Sequence, residues 1–156
     1  AGFTVETKYL LKLQSKLENI AKSQLNDELL TRKLTIDLEL PLAFVTKELW
    51  LKIQTLAPFG IGNPEPIFFT RNLKVVNIRL IGAENNHLKL KVVDGEKKEL
   101  LDAIGFRMGE HKAYLDVGSL VDLAYSLDLN HWNGVDNLQL KLKDIQNSSV
   151  KLTSSV

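Results

Sequence analysis

Between Asn72 and Ile145 five runs of alternating apolar and polar residues follow one another, each closed by turn residues. Period-two alternation marks a strand with one buried face, so this part of the chain must form a β unit that shelters five inner faces at once. The first run, Asn72 to Ile81, carries Leu73 and Val75 in one phase and Val76, Ile78 and Leu80 in the other. A one-residue phase slip predicts a β-bulge, which bends a strand and increases its twist. Gly82-Ala83-Glu84-Asn85-Asn86 turns the chain into Leu88, Leu90 and Val92, with His87, Lys89 and Lys91 opposite, and Asp94-Gly95 predicts a hairpin turn. The third run spans Glu99 to Phe106 and the fourth Leu120 to Leu129, with room for one or two helical turns in Arg107 to Gly118 between them. In the fifth, Leu138, Leu140 and Leu142 oppose Gln139, Lys141 and Lys143, and the pattern stops at Ile145.

The front part has a different period. Leu10, Leu13, Leu17, Ile20 and Ala21 recur at helical spacing, which predicts an amphipathic helix of about five turns, with Thr4 or Thr7 as N-cap and Glu6 in the first turn. Leu34, Ile36, Leu38 and Leu40 then alternate with Thr35, Asp37 and Glu39, as in a half-buried strand, until Pro41 stops it. Thr46 opens a second helix with Leu49, Trp50, Ile53 and Leu56 on one face. It runs into Pro58-Phe59-Gly60-Ile61-Gly62-Asn63-Pro64-Glu65-Pro66, where proline and glycine exclude continuous helix or central strand. This is a structured corner, with the Phe59 ring expected beneath it. The expected fold is therefore mainly β with flanking helices: a five-stranded OB-fold barrel preceded by an amphipathic helix, a strand and a second helix. The bulged first strand and the insertion between the third and fourth favour the barrel over a small sandwich.

Apolar residues at 44% and charged residues at 25% are ordinary for a globular chain. No window approaches the ~18 consecutive apolar residues of a membrane span, no basic-then-apolar leader is present, and a cytoplasmic location without membrane association is expected. The absence of cysteine excludes disulfides and thiolate metal sites. The start, Ala1-Gly2-Phe3-Thr4, reads as a cut edge, and the tail from Gln146 as a polar segment that frays.

No catalytic constellation emerges from the residues. His87, His111 and His131 lie in separate segments without a second ligand at metal spacing. Gly60-Ile61-Gly62 lacks the third glycine and the context of a phosphate loop, Asp122 and Asp128 read as a solvated strand face, and no serine sits in a nucleophile elbow. What remains is a basic face: Arg79, His87, Lys89 and Lys91 on the first hairpin and Lys141 and Lys143 on the last strand. Such groups can track a phosphate backbone while Phe106, Tyr125 or Trp132 stack on bases. From Arg71 to Asp144, however, eleven Lys/Arg balance eleven Asp/Glu, so an ordinary solvated strand face accounts for the same pattern. Trp132-Asn133-Gly134 reads as a hairpin loop whose Trp covers the barrel end or stacks on a base.

These motifs together resemble the C-terminal part of the RecJ family of bacterial single-stranded-DNA exonucleases. The resemblance is carried by Ile36-Asp37, Glu39-Leu40-Pro41-Leu42, the proline-rich corner, His87-Leu88-Lys89-Leu90, Ala103-Ile104-Gly105-Phe106, Val121-Asp122-Leu123-Ala124-Tyr125, Asn130-His131-Trp132-Asn133-Gly134, Leu138-Gln139-Leu140 and Lys143-Asp144-Ile145. It implies that residues 1–34 end a DHH-associated domain, that 35–145 form an OB-fold domain with its leading strand and helix, and that 146–156 are a polar tail. It also implies that the metal-binding carboxylates of the nuclease lie upstream of this chain. The fragment is then expected to be inactive and to hold no cofactor, the Mn²⁺ or Mg²⁺ of the parent enzyme belonging to the missing catalytic core. The implied partners are single-stranded DNA, the rest of the exonuclease chain and DNA-repair proteins; an architectural or protein-docking role is the alternative.

Overall fold

The structure, a computed structural model, describes residues 2, 4–31, 33–95, 100–132 and 134–148, with the backbone alone for Asp27, Glu28 and Trp132. It divides into two compact units, Ala1–Leu34 and Thr35–Val156.

In the first unit a 3₁₀ turn, Thr7–Tyr9, leads into helix α1, Leu10–Gln24. Its 15 residues make about four turns, one fewer than expected. Neither Thr4 nor Thr7 caps it: Glu6 takes the N-cap position of the 3₁₀ turn without a side-chain hydrogen bond, because the tighter turn begins before an α-type cap can form. Leu13 and Ala21 are half-buried, but no residue of α1 is fully buried. A four-residue helix α2, Asp27–Leu30, follows, with Asn26 Oδ1 accepting from the Leu29 N–H at 2.8 Å.

The second unit is built on one sheet. Its strands are β1 (Leu38–Glu39), β2 (Phe68–Ile81), β3 (His87–Val93), β4 (Leu100–Gly105), β5 (Leu120–Trp132) and β6 (Val135–Asn147). They follow the order β1-β2-β3-β4-β6-β5, and β2 pairs again with β5 to close the sheet. The β2–β3, β3–β4, β2–β5 and β5–β6 pairs are antiparallel, while β4–β6 and β1–β2 are parallel. Counted from β2, a first strand shared between the second and fourth, with the third beside the fifth, is the topology of the OB-fold barrel. The two-residue β1 adds a sixth strand at the edge.

The inward phase of every barrel strand fills the core: Leu73, Val75, Leu88, Leu90, Val92, Ala103, Val121, Leu123, Tyr125 and Leu140 have no exposed surface. The β2–β3 register shifts between Val75 and Asn77, the bulge that the phase slip predicts. A second shift, toward β5, lies between Thr70 and Leu73 and was not foreseen. There Asn72 adopts φ 55°, a left-handed conformation asparagine tolerates, and its N–H donates to Asp122 Oδ1 at 2.9 Å. Asp122 is thus not part of a solvated face; it is 8% exposed and also accepts from Ser148 Oγ at 2.5 Å. Gln146 and Asn147 pair with Asp122 and Val121, which extends β6 into the expected tail. Val93 pairs with Leu100, so the β3–β4 connection runs over residues 94–99 in place of a two-residue Asp-Gly turn, and 96–99 lie outside the described residues. The insertion after β4 is a 3₁₀ helix, Gly109–Ala113.

Helix α3, Lys47–Gln54, is capped as expected, Thr46 Oγ1 accepting from the Leu49 N–H at 3.2 Å. Ile53 is buried and Leu49 and Trp50 pack beside it. Leu56 is 58% exposed, because the helix has ended and the chain has already turned. The corner is pinned by Asn63, whose Nδ2 donates to the carbonyls of Leu56 (2.8 Å) and Pro58 (3.0 Å), and by reciprocal backbone bonds between Gly60 and Asn63. The Ala57–Pro58 peptide is cis. Phe59 packs on the core but is half-buried and not enclosed. The leading strand also departs from expectation. Ile36 and Leu38 remain 42% and 54% exposed and only Leu40 is buried, because the segment pairs on one side alone and its two-residue ladder lies at the sheet edge.

Leu40 marks the seam of the barrel. Thr70 Oγ1 donates to the Leu40 carbonyl at 2.5 Å and lies 2.8 Å from the Tyr125 hydroxyl, which therefore donates to Thr70. Burial pushes the Tyr125 phenol up to about 12. The raised folded value means that Tyr125 contributes stability in full below the ordinary phenol pKa near 10 and loses it as pH rises through about 12. Melting temperatures taken across that window should fall for the wild type and fall less for Tyr125→Phe, which near neutral pH should cost about 1 kcal/mol through the lost hydrogen bond. Phe59→Ala should lower stability by about 2 kcal/mol in a denaturant melt, less than the ~3–5 kcal/mol of an enclosed ring. An unchanged melting curve would show that the ring does not secure the corner.

Candidate nucleic-acid interface

Strand β3 sends Leu88, Leu90 and Val92 into the core, so His87, Lys89 and Lys91 stand on the outer surface. Register extends this surface sideways. Lys91 lies opposite Asn77 on β2 and Asp102 on β4; Asp102 lies beside Gln139 on β6, and Gln139 opposite Asp128 on β5. Two residues along, the row reads Arg79, Lys89, Ile104 and Lys141, and ends at Ser126, which is fully buried. Curvature folds the β5–β6 ribbon toward the β2–β3 hairpin and leaves a groove of about 390 Å³ lined by Arg79, Ile81, Lys89, Asp102, Asn130, Asn137 and Gln139. It lies across the second and third barrel strands, with the 82–86 loop following β2 on one side and the paired Trp132–Val135 end of the ribbon on the other. This is the face that OB folds use for oligonucleotides and oligosaccharides.

The groove is polar and internally compensated. Lys89 Nζ lies 3.0 Å from Asp102 Oδ2 and Lys91 Nζ 3.4 Å from Asp102 Oδ1. Burial alone would raise the Asp102 carboxyl, but the hydrogen bond and charge of Lys89 and the charge of Lys91 outweigh it and hold the group below the usual carboxylate range. Gln139 Nε2 donates to Asp128 Oδ2 at 2.7 Å. Asp128 is thus hydrogen-bonded and half-buried, not a member of a freely solvated face. Arg79 is exposed and Lys141 half-buried, and neither has an ion-pair partner among the described residues. At the ribbon, His131 Nδ1 and Lys47 Nζ reach the two oxygens of Asp136 at 2.6 and 3.4 Å, and the hydrogen bond from His131 lowers that carboxyl.

The structure thus brings Arg79, Lys89, Lys91 and, across Ile104, Lys141 to one surface and disperses the other residues singled out in the sequence. His87 accepts from the Arg107 N–H through Nδ1 at 3.1 Å and meets Phe106 edge-on at 5.3 Å between ring centres. That contact supports Arg107, whose φ of 58° is left-handed, so His87 secures the end of β4 and does not line the groove. Phe106 keeps half its surface exposed at the same place. Lys143 is directed to Glu65 of the corner at 3.8 Å, away from the groove. Tyr125 is fully buried against Phe68, so it is no stacking platform; its phase matches Val121, Leu123 and Leu127. The Trp132 side chain lies outside the described residues. Sequence reasoning missed Asp102, Asn130 and Asn137, because cross-strand register and not spacing along the chain assembles them. Gly109 props the 82–86 loop: its N–H donates to the Asn86 carbonyl at 3.0 Å, and a Cβ there would stand 2.9 Å from the Asn85 carbonyl oxygen. Among the described residues no group of three or more His, Asp or Glu side chains is placed to hold a metal ion, and no helix is long and apolar enough to cross a membrane.

A family model for the RecJ OB domain matches residues 36–144. The single-stranded-DNA-specific exonuclease RecJ of Bacillus subtilis is 30% identical over 144 residues, which cover 92% of this chain and 18% of that protein. The RecJ of Escherichia coli is 30% identical over 146 residues, covering 93% of this chain and 25% of that one. The chain therefore spans between about a fifth and a quarter of the length of these relatives. RecJ of Thermus thermophilus, solved in complex with Mn²⁺, shares the fold with a TM-score of 0.71 at 22% identity, over 94% of this chain and 20% of its own. The matched residues run from the leading strand into the last barrel strand, and the chain belongs to the RecJ OB domain family.

Proposed function

We propose that the barrel is the single-stranded nucleic-acid-binding module of a RecJ-type exonuclease, holding DNA and guiding it to a catalytic core outside this chain. In this reading residues 1–34 end the DHH-associated domain, 35–145 form the binding domain, and Mn²⁺ or Mg²⁺ belongs to the core. One observation carries the reading: Arg79 and Lys89, with Lys91 beside them through Asp102, share a groove with the amides of Asn130 and Asn137 on the oligonucleotide face of an OB barrel. Cations along such a groove can pair with a phosphate backbone, and amides can meet base edges or sugar hydroxyls. Lys141 continues the basic row two strands on, across Ile104, and Phe106 and Trp132 are the remaining candidates for stacking. His87 and Lys143 act indirectly, through the β4 end and the corner.

The docking alternative is favoured by a different observation. The corner and its flank present Phe44, Leu51 and Ile61 with 63%, 53% and 108% exposure, an apolar set better suited to protein, either the rest of the exonuclease or a repair partner, than to phosphate.

Fluorescence anisotropy of a labelled single-stranded oligonucleotide with the full chain, across a salt series, separates the two. Phosphate contacts predict an affinity that drops steeply with salt, and Lys89→Ala should weaken binding roughly tenfold at low salt and flatten the salt slope by about 0.7, one phosphate on a single strand. Absent or salt-insensitive binding would favour the docking role.

A further inference from the structure

Asp102 occupies the centre of the basic surface. It stands in the outward phase of β4 opposite Lys91, and each carboxylate oxygen takes one ammonium group, Oδ2 that of Lys89 and Oδ1 that of Lys91. The three side chains keep between 20% and 43% of their surface, so this triad is partly withdrawn from water and is screened less than a free surface pair. Asp102 has no other hydrogen-bond donor among the described residues, since the neighbouring Gln139 amide is committed to Asp128. Two ammonium groups bridged by a two-oxygen anion match the way two lysines share the non-bridging oxygens of a phosphodiester.

We propose that Asp102 is a built-in competitor for the backbone phosphate: it holds Lys89 and Lys91 together in the free protein, and a bound strand must displace it. The inference rests on the nucleic-acid reading of the groove. Displacement makes each phosphate contact an exchange of one anion for another. The net gain per contact is then smaller than an unpaired lysine would give, and the strand is held at a grip loose enough to let it advance. Arg79, which has no such partner among the described residues, supplies the uncompensated contact on the same groove.

The test uses anisotropy with a short 5′-labelled oligothymidylate and the full chain, comparing wild type, Asp102→Asn, Asp102→Glu and Lys89→Ala. Removing the competing charge while keeping the shape should tighten binding roughly five- to tenfold at low salt and steepen the salt slope by about 0.7, one further phosphate on a single strand. Asp102→Glu should stay near wild type. If Lys89→Ala weakens binding while Asp102→Asn leaves it unchanged or weakens it, the competitor role is overturned and the binding role stands. If the wild type binds no oligonucleotide, both fall. Melting curves check that the variants are folded. Should Asp102→Asn not fold, the Asp102 carboxyl carbon of the wild type is followed by NMR during titration with the same oligonucleotide. Displacement requires that resonance to move toward an unpaired carboxylate, and an unmoved signal at saturation overturns the proposal.

Discussion

Strand β2 has to satisfy three neighbours, and the barrel exists because it bends between them. Its first residues pair with β1 on one side and β5 on the other, while its second half pairs with β3. Lys74 is the hand-over point, opposite Leu120 of β5 and Val93 of β3. A straight strand cannot leave one neighbour and meet another around a closed sheet; two register shifts supply the bend, one near Asn72 and one at Val75–Asn77. The Asp122 carboxylate braces the first by accepting the Asn72 N–H, and the Leu40–Thr70–Tyr125 chain of hydrogen bonds seals the same region from within. The groove inherits its curvature from these few residues.

The barrel was legible because inner faces repeat with period two and a bulge interrupts that period at Val75–Val76 in plain view. The second shift was not, since Phe68, Phe69 and Thr70 are buried on both sides and show no alternation to interrupt. Tyr125 was a different case: its phase with Val121, Leu123 and Leu127 already placed it inside, and its aromatic character misdirected the reading. The leading segment alternates convincingly, yet alternation reports which side chains share a face and not whether anything covers that face. Ile36 and Leu38 share theirs and remain open. Asp102 could not be assigned from the sequence at all. Its partner depends on the β3–β4 register, and a connection running over residues 94–99 leaves that register free, where a two-residue turn would have fixed it.

Counting basic residues therefore overstates the field around the barrel. Lys89 and Lys91 share one carboxylate, Lys143 faces Glu65, and Arg71 lies 2.9 Å from Glu39. Neutrality along the barrel sequence is realised as local pairs, not as separate acidic and basic regions. Such a surface attracts a polyanion weakly at long range, because the potential of a close pair decays quickly, but it can still rearrange at contact. This separates it from the uniformly basic channels of proteins that coat single strands.

The β5–β6 ribbon continues past the barrel. Pairing between the two strands extends to Trp132 and Val135, whereas β2 accompanies β5 only to Tyr125 and β4 accompanies β6 only between Gln139 and Lys141. Beyond Asp128 the two strands have no other ladder partner among the described residues; Leu138 still packs against the core, and the exposed pair Lys47–Asp136 links the outer part to α3. The two walls of the groove are thus held differently, one by a closed barrel with ladders on both sides of its strands and the other by a single ladder, the packing of Leu138 and one exposed ion pair.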